Sequence, residues 1–365
     1  MSVLFTPVTV GALTLPNKIV MAPLTRCRAD AEHVPTPMMA EYYAQRASAG
    51  LLIAEATMIS EGNSAFWREP GIYSAAQIKA WKDVTDAVHA KGGRIFLQIW
   101  HGGRACHPAL NGGRQPVSAS DIAIDDTVHT PEGKLPYTAP RALADDEIPG
   151  IIEQFRQAAL NAKAAGFDGV GVHGANGYLL DQFLRDGSNK RTGPYGGSLE
   201  NRARLLLEVV EAVVGVWGRV EAVVGVWGSD RVGVRISPLN SYNSMRDSDP
   251  VGLTRYVAGA LNRFNLAYLH LMRADFFGVQ QADVVSAARA AYQGTLMGNM
   301  GYQKAEAEQA INDGQLQLVA MGAVYISNPD LVERLAHDYP LAQPDSSTFY
   351  TQTAEGYTDY PAYSA

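Results

Sequence analysis

Short, almost wholly apolar runs alternate along the whole chain with longer stretches in which apolar residues recur every three or four positions. The short runs are Ile19 to Ala22, Leu51 to Glu55, Ile95 to Ile99, Gly169 to Val172, Val232 to Ile236, Tyr268 to Met272, Thr295 to Gly298 and Leu318 to Met321. Each has the length and apolar continuity of a strand buried on both faces, as strands of parallel sheets are. The stretches between them, such as AAQIKAWKDVTDAVHAKGG and IPGIIEQFRQAALNAKAAG, have the spacing of amphipathic helices. Eight such units predict an α/β fold built on a parallel sheet.

The sheet can be open and doubly wound, or closed. The less ordinary residues decide between the two: Thr25, Ala56, Gln98, Trp100, His101, His173, Arg235, Asn299 and Ala323 all fall at or just beyond strand ends. A closed (β/α)8 TIM barrel gathers those ends on one face, where the following loops build a single site. Residues 1–365 are therefore expected to form a single TIM-barrel domain.

Two segments interrupt the rhythm. Residues 106–144 follow the third strand and are rich in Gly, Pro, Asp and Thr; a connection of this length in a compact domain predicts a lid or subdomain over the site. In addition, VEAVVGVWG at Val210 to Gly218 recurs at Val220 to Gly228, a tandem duplication that makes 219–228 an apparent insert between a complete helix and the fifth strand. Ten residues do not return a helix to the same face, so the second copy is expected to protrude away from the site.

Composition narrows the function. The chain is 47% hydrophobic and 18% charged with a net charge of −7, which describes a globular protein with ample core and argues against a nucleic-acid partner. The N-terminus lacks a basic start followed by an apolar core, and no run of membrane-spanning length appears. Only Cys27 and Cys106 are present, with no metal-binding or disulfide spacing. A cytoplasmic protein, monomeric or weakly dimeric, without metal, membrane or nucleic-acid partner, is the expectation.

Candidate chemistry is concentrated after the fourth strand. His173 and Asn176 are three residues apart and can both aim N–H donors at one acceptor, and Tyr178 adds a phenol two residues on. Such a trio can hold a carbonyl or nitro oxygen and supply a proton beside it. Asn189, Arg191, Tyr195, Gly196 and Gly197 follow in a loop, and Ser198 is placed to cap a helix beginning SLENRARLLLEVV.

HGANGYLLDQFL followed by NKRTGPYGGSLENRAR closely resembles the old yellow enzyme family of FMN-dependent ene reductases, in particular its N-ethylmaleimide reductase and pentaerythritol tetranitrate reductase branch. The resemblance extends over nearly the whole chain. It implies FMN as cofactor, NADPH or NADH as reductant, and activated alkenes, nitro compounds and phenolic ligands as small-molecule partners. It also implies His173 and Asn176 as oxygen binders and Tyr178 as proton donor. The implied cofactor residues are Pro23 and Thr25 in MAPLTR, Ala56, Gln98 in LQIWHGGR, Arg235 in GVRISP, Gly298, Asn299, Gly322 and Ala323. Trp100, Phe66, Phe276 and Tyr357 are the implied substrate contacts.

Three positions depart from the family pattern: Gly171 replaces a Glu, Gly193 an Asp, and Ala323 an Arg that binds the FMN phosphate. The first two are expected to disturb loop anchoring and the third to weaken FMN binding. Two other functions fit a barrel with these residues. One is a flavin-independent, metal-assisted lyase using His101, His173 and carboxylates. The other is a non-catalytic or poorly active barrel that binds flavin and phenolic ligands.

Overall fold

The computed structural model describes residues 2–217 and 228–364. Its core is a closed barrel of parallel strands: β1 Ile19–Met21, β2 Leu51–Met58, β3 Ile95–Trp100, β4 Gly169–Gly174, β5 Val232–Ile236, β6 Tyr268–Met272, β7 Leu296–Asn299 and β8 Leu318–Met321. Each strand pairs with the next in sequence, and β8 closes onto β1 through Ala320 beside Val20. Every residue of every barrel strand is buried, which is why the strands are apolar runs rather than alternating ones. The expected strands are all present. Four run further than their apolar cores suggest: β2 to Met58, β3 to Trp100, β4 to Gly174 and β7 to Asn299. The polar residues among these additions, Thr57, His173 and Asn299, are held in the ladder by backbone pairing that apolar periodicity does not register.

β2 has a register shift between Ala54 and Thr57 against β3. A bulge of this kind re-aims a side chain, and it places Ala56 on the wall of the cleft described below.

The helices are Pro37–Gln45 (α1), Ala75–Ala90 (α2), Ile148–Ala164 (α3), Leu179–Leu184 (α4), Leu199–Trp217 (α5), Pro250–Leu261 (α6), Val284–Ala291 (α7), Lys304–Asn312 (α8), Ala323–Ser327 (α9) and Leu331–His337 (α10). Their starts are written locally. Ser74 and Gln77 form a reciprocal capping box on α2, Asp249 and Asp283 cap α6 and α7, and Ser198 Oγ accepts from Asn201 N at 3.3 Å ahead of α5. α5 runs through the first copy of the duplicated segment to Trp217. Residues 218–227, which hold nearly all of the expected insert, lie outside the described residues.

An antiparallel hairpin, Val8–Val10 with Leu13–Leu15, packs Val10, Leu13 and Leu15 into one apolar cluster with Val20, Leu51, Phe96 and Leu318 at the N-terminal end of the barrel. Its turn needs Gly11: φ is +55°, and a Cβ there would lie 1.9 Å from the Asp230 carbonyl oxygen. With that end plugged, the C-terminal strand ends are the face left for a site.

The excursion at 106–144 forms a short parallel pair, Val117–Ser118 with Arg141–Ala142, and a hairpin, Thr127–Thr130 with Gly133–Pro136. Its base is tied down by Arg191, whose guanidinium donates to the Ala119 carbonyl at 3.2 Å and pairs with Asp145. Asn189 Nδ2 donates to the carbonyls of Phe183 and Tyr195 at 2.7 and 2.8 Å, so this loop is anchored despite the two glycine replacements. Gly193 has open space around it and its carbonyl accepts from Asn201 Nδ2 at 3.0 Å. Gly171 is not a loop residue at all. It lies within β4, where the Tyr268 hydroxyl would be 3.0 Å from an added Cβ.

Two buried arginines pin the C-terminal tail. Arg26 donates to the carbonyls of Phe349 at 3.0 Å and Gly356 at 2.8 Å, and Arg28 to those of Thr348 and Phe349 at 2.9 and 2.8 Å. Guanidinium groups spent on backbone carbonyls give an otherwise irregular segment a defined path. That path carries Phe349 and Tyr350 across the barrel mouth.

Candidate active site

A cleft of about 280 Å³ opens at the C-terminal strand ends. Pro23, Thr25, Ala56, Gln98, Arg235 and Ala323 line it, as do His173, Asn176, Tyr178, Phe66 and Phe276. Segments from most of the βα units thus meet in one place, as the barrel reading requires. A second cavity of about 580 Å³ shares Phe66, Tyr178, Tyr242 and Tyr350 with it and continues under the hairpin of the excursion, along Thr127, Val128, His129, Thr130 and Tyr137.

His173 and Arg235 are register partners on adjacent strands β4 and β5. Burial pushes the His173 imidazole well below its ordinary pKa, and the Arg235 cation adds to the effect, so His173 is neutral. Its Nδ1 is buried without a protein partner. Burial also lowers Arg235, to about 10, which leaves it protonated. Arg235 Nη2 donates to Asn299 Oδ1 at 2.9 Å, while Nε is buried without a partner and no carboxylate among the described residues pairs with the guanidinium. A buried cation with no carboxylate beside it and a ring nitrogen without a protein partner suit a polar or anionic group from outside the chain.

Asn176 adopts a left-handed backbone conformation, φ +58°, which asparagine tolerates better than most residues. Its N–H donates to Ser237 Oγ at 2.7 Å, its carbonyl accepts from Asn243 Nδ2 at 2.9 Å and its Oδ1 accepts from Asn240 Nδ2 at 2.9 Å. Tyr178 follows Gly177, whose N–H donates to Asp181 Oδ2 at 2.9 Å. Burial pushes the Tyr178 phenol well above its usual pKa, helped by the neighbouring phenols of Tyr242, Tyr137 and Tyr350. Tyr178 therefore stays protonated across the working pH range.

Several expected site residues have other places. Trp100 is fully buried behind the cleft, edge-on to Tyr178 with ring centroids 4.3 Å apart and 6.2 Å from Phe66, so it backs the wall rather than forming it. Gly298 is packed inside the barrel, where a Cβ would lie 2.5 Å from Leu316 Cδ1. Asn299 acts on Arg235, and its Nδ2 donates to the Ala320 carbonyl at 2.8 Å. Gly322 is the residue ahead of α9, with Leu24 Cδ2 3.5 Å from an added Cβ. Tyr357 is not a cleft residue. It is fully buried, stacked on Tyr42 at 4.0 Å beneath the Arg28 guanidinium, and the tail aromatics that reach the cleft are Phe349 and Tyr350.

His101 is buried, its pKa pushed down to about 4 by burial, and its Nδ1 accepts from Gly103 N at 3.0 Å; it is a structural histidine. Among the described residues no group of three His, Cys, Asp or Glu side chains is arranged to hold a metal ion, which leaves the metal-assisted alternative without a ligand set. Tyr242, Tyr350, Tyr137 and Asn240 were not foreseen. Asn240 and Tyr242 belong to NSYN, an unremarkable turn sequence, and only tertiary structure brings it against Asn176.

A family model described as NADH:flavin oxidoreductase / NADH oxidase family matches residues 3–342. The chain belongs to that family. Within it, the chain is 47% identical over 98% of its length to a probable flavin mononucleotide-dependent alkene reductase of Leishmania infantum, covering 97% of that relative. Among solved structures, the crystal structure of TcOYE with pHBA matches at 46% identity and TM-score 0.93, covering 99% of both chains. Morphinone reductase in complex with tetrahydroNAD matches at 44% identity and TM-score 0.92, covering 99% of this chain and 98% of the other.

Proposed function

We propose that this protein is an FMN-dependent NAD(P)H oxidoreductase that reduces the C=C bond of alkenes conjugated to a carbonyl or nitro group. The observation that carries the reading is the meeting of His173, Asn176 and Tyr178 with Arg235 and Gln98 in one cleft, where His173 Nδ1 and Arg235 Nε are buried without protein partners. We assign Pro23, Thr25, Ala56, Gln98 and Arg235, which line the cleft together, to the flavin ring, and a fixed, protonated guanidinium suits the electron-rich edge of such a ring. A bound flavin would supply hydride transfer, from NAD(P)H to the alkene β-carbon.

The chain's own residues do the rest. The Asn176 amide and the His173 ring donate to the activating oxygen of the substrate, and their bonds strengthen as negative charge gathers there; a donor of this kind is typically worth about 3 kcal/mol. Tyr178, held as the neutral phenol, gives its proton to the α-carbon. Phe66, Tyr242 and Tyr350 wall the substrate, and we assign the excursion at 106–144 as the cover of the larger cavity. Both thiols are free and buried, which suits a reducing cytoplasm.

The test is anaerobic. NADPH or NADH added to the flavin-loaded protein should bleach the flavin, and a cyclic enone should restore the colour with one equivalent of saturated ketone formed. A protein whose spectrum shifts with phenols but which forms no saturated product would be a binding barrel and not a reductase.

A further inference from the structure

Asn240 is fully buried, and its carboxamide bonds at both ends. Its Oδ1 accepts from two backbone donors, Tyr242 N at 3.4 Å and Phe276 N at 3.3 Å. Backbone N–H groups can only donate, so the oxygen of this amide must face them and its nitrogen must face the other way. That nitrogen lies 2.9 Å from the Asn176 side chain. The atom of Asn176 that receives it must be Oδ1, since an NH2 there would meet another NH2. The remaining end of the Asn176 amide, its NH2, is then the end left for the cleft.

We propose that Asn240 is a positioning residue that fixes the Asn176 amide as a donor toward substrate. The backbone around both residues is already immobile: Asn176 N and O are bonded to Ser237 Oγ and Asn243 Nδ2, and the Asn240 carbonyl accepts from Arg185 Nη1 at 2.8 Å. Rotation of the terminal amide is the freedom those bonds leave open, and a carboxamide that turns over presents an acceptor to an oxygen it should bind. Two backbone N–H groups thus set the polarity of the substrate site through a relay of two amides. The inference rests on the reading of Asn176 as an oxygen-binding donor.

The test is a double-mutant cycle on the flavin-loaded protein, with binding of a para-substituted phenol read from the visible spectrum. Asn240→Asp keeps the acceptor toward Tyr242 and Phe276 and removes the donor toward Asn176. Asn240→Ser keeps a short acceptor for the turn but cannot bridge to Asn176. Each should raise the phenol Kd by about tenfold or more, the effect of one hydrogen bond to a charged or charge-developing oxygen, with flavin content unchanged.

Asn176→Ala should cost a similar factor in the parent and no more than about twofold on top of either Asn240 variant, because the amide has already lost its orientation there. An unchanged Kd in the Asn240 variants, or losses that multiply in full, would overturn the proposal. If Asn240→Asp does not fold, the Ser variant completes the same cycle. A parent protein that binds no phenol would instead overturn the oxygen-binding reading on which the proposal rests.

Discussion

Arg235 on β5 donates through Nη2 to Asn299 Oδ1 on β7 at 2.9 Å, and Asn299 is itself fixed by donation to the Ala320 carbonyl on β8 at 2.8 Å. The amide therefore aims the buried cation at the cleft floor. Hydrogen bonds to charged groups contribute about 1.5 to 3 kcal/mol, so Asn299→Ala should weaken FMN binding roughly tenfold or more and lower the melting temperature. Flavin titration of the apoprotein and thermal unfolding check this. A variant that matches the parent in both would show that Arg235 holds its position without the amide.

His173→Ala combined with Asn176→Ala should abolish the spectral response to phenols and slow enone reduction by at least a hundredfold, on the scale of a lost oxyanion donor. Flavin reduction by NADPH should remain measurable. Stopped-flow measurement of the two half-reactions separates these effects, and undiminished enone turnover would remove the pair from its assigned role. Tyr178→Phe should slow only the oxidative half-reaction, and less uniformly across substrates, since solvent can replace a proton donor.

Glu69 is expected to make stability depend on pH. It is fully buried; burial raises its pKa from 4.5 to about 7 against several opposing hydrogen bonds, and its Oε2 has no partner. Below the unfolded pKa both states hold the proton and no penalty arises. As pH rises from about 4.5 to 7 the unfolded chain releases its proton while the folded one retains it, so stability falls across that window and levels off above it. The loss is on the order of 3 kcal/mol. Glu69→Gln should remove most of it, raising the melting temperature at pH 8 relative to the parent but not at pH 4. Parallel melting curves at both pH values would place the ionisation elsewhere, with Glu55, also raised to about 7, as the next group to replace.

The barrel was legible in the sequence because parallel strands buried on both faces leave continuous apolar runs, and because the polar residues ending those runs, from Thr25 to Arg235, converge only if the sheet closes. That His173, Asn176 and Tyr178 line one cleft follows from their being local, from His173 in β4 to Tyr178 just ahead of α4. What lay beyond the sequence was set by contacts between distant segments. In an aromatic-rich tail, nothing local distinguishes Tyr350, which reaches the cleft, from Tyr357, which stacks on Tyr42; the choice is made by where Arg26 and Arg28 grip the backbone. Trp100 reads as a pocket wall because it ends a strand, yet it is fully buried against the rings of Tyr178 and Phe66, which line the cleft in its place. Asn240 gave no signal, since an asparagine two residues after Pro238 and before a serine is ordinary turn chemistry.

The last prediction concerns Ala323. This residue lines the cleft and is exposed, at the start of α9, where the resemblance implies an arginine on the FMN phosphate. A methyl supplies neither charge nor hydrogen bond. Two other cations, Lys304 at the start of α8 and Arg273 just after β6, are engaged: Lys304 Nζ pairs with Asp338 Oδ1 at 2.6 Å, and Arg273 pairs with Glu306, donates to the Met300 carbonyl at 2.8 Å and packs over the Tyr302 ring at 3.6 Å. Arg26, which also lines the cleft, is committed to the tail carbonyls. The protein should therefore purify partly without flavin and gain activity on added FMN. Ala323→Arg should tighten the FMN dissociation constant by roughly ten- to two-hundredfold, the equivalent of one charge-assisted bond of about 1.5 to 3 kcal/mol. The apoprotein, titrated with FMN and with riboflavin, separates phosphate from ring: the arginine should improve FMN binding and leave riboflavin binding unchanged. Full flavin occupancy in the parent, with no gain from the arginine, would show that the phosphate is held by groups other than those around residue 323.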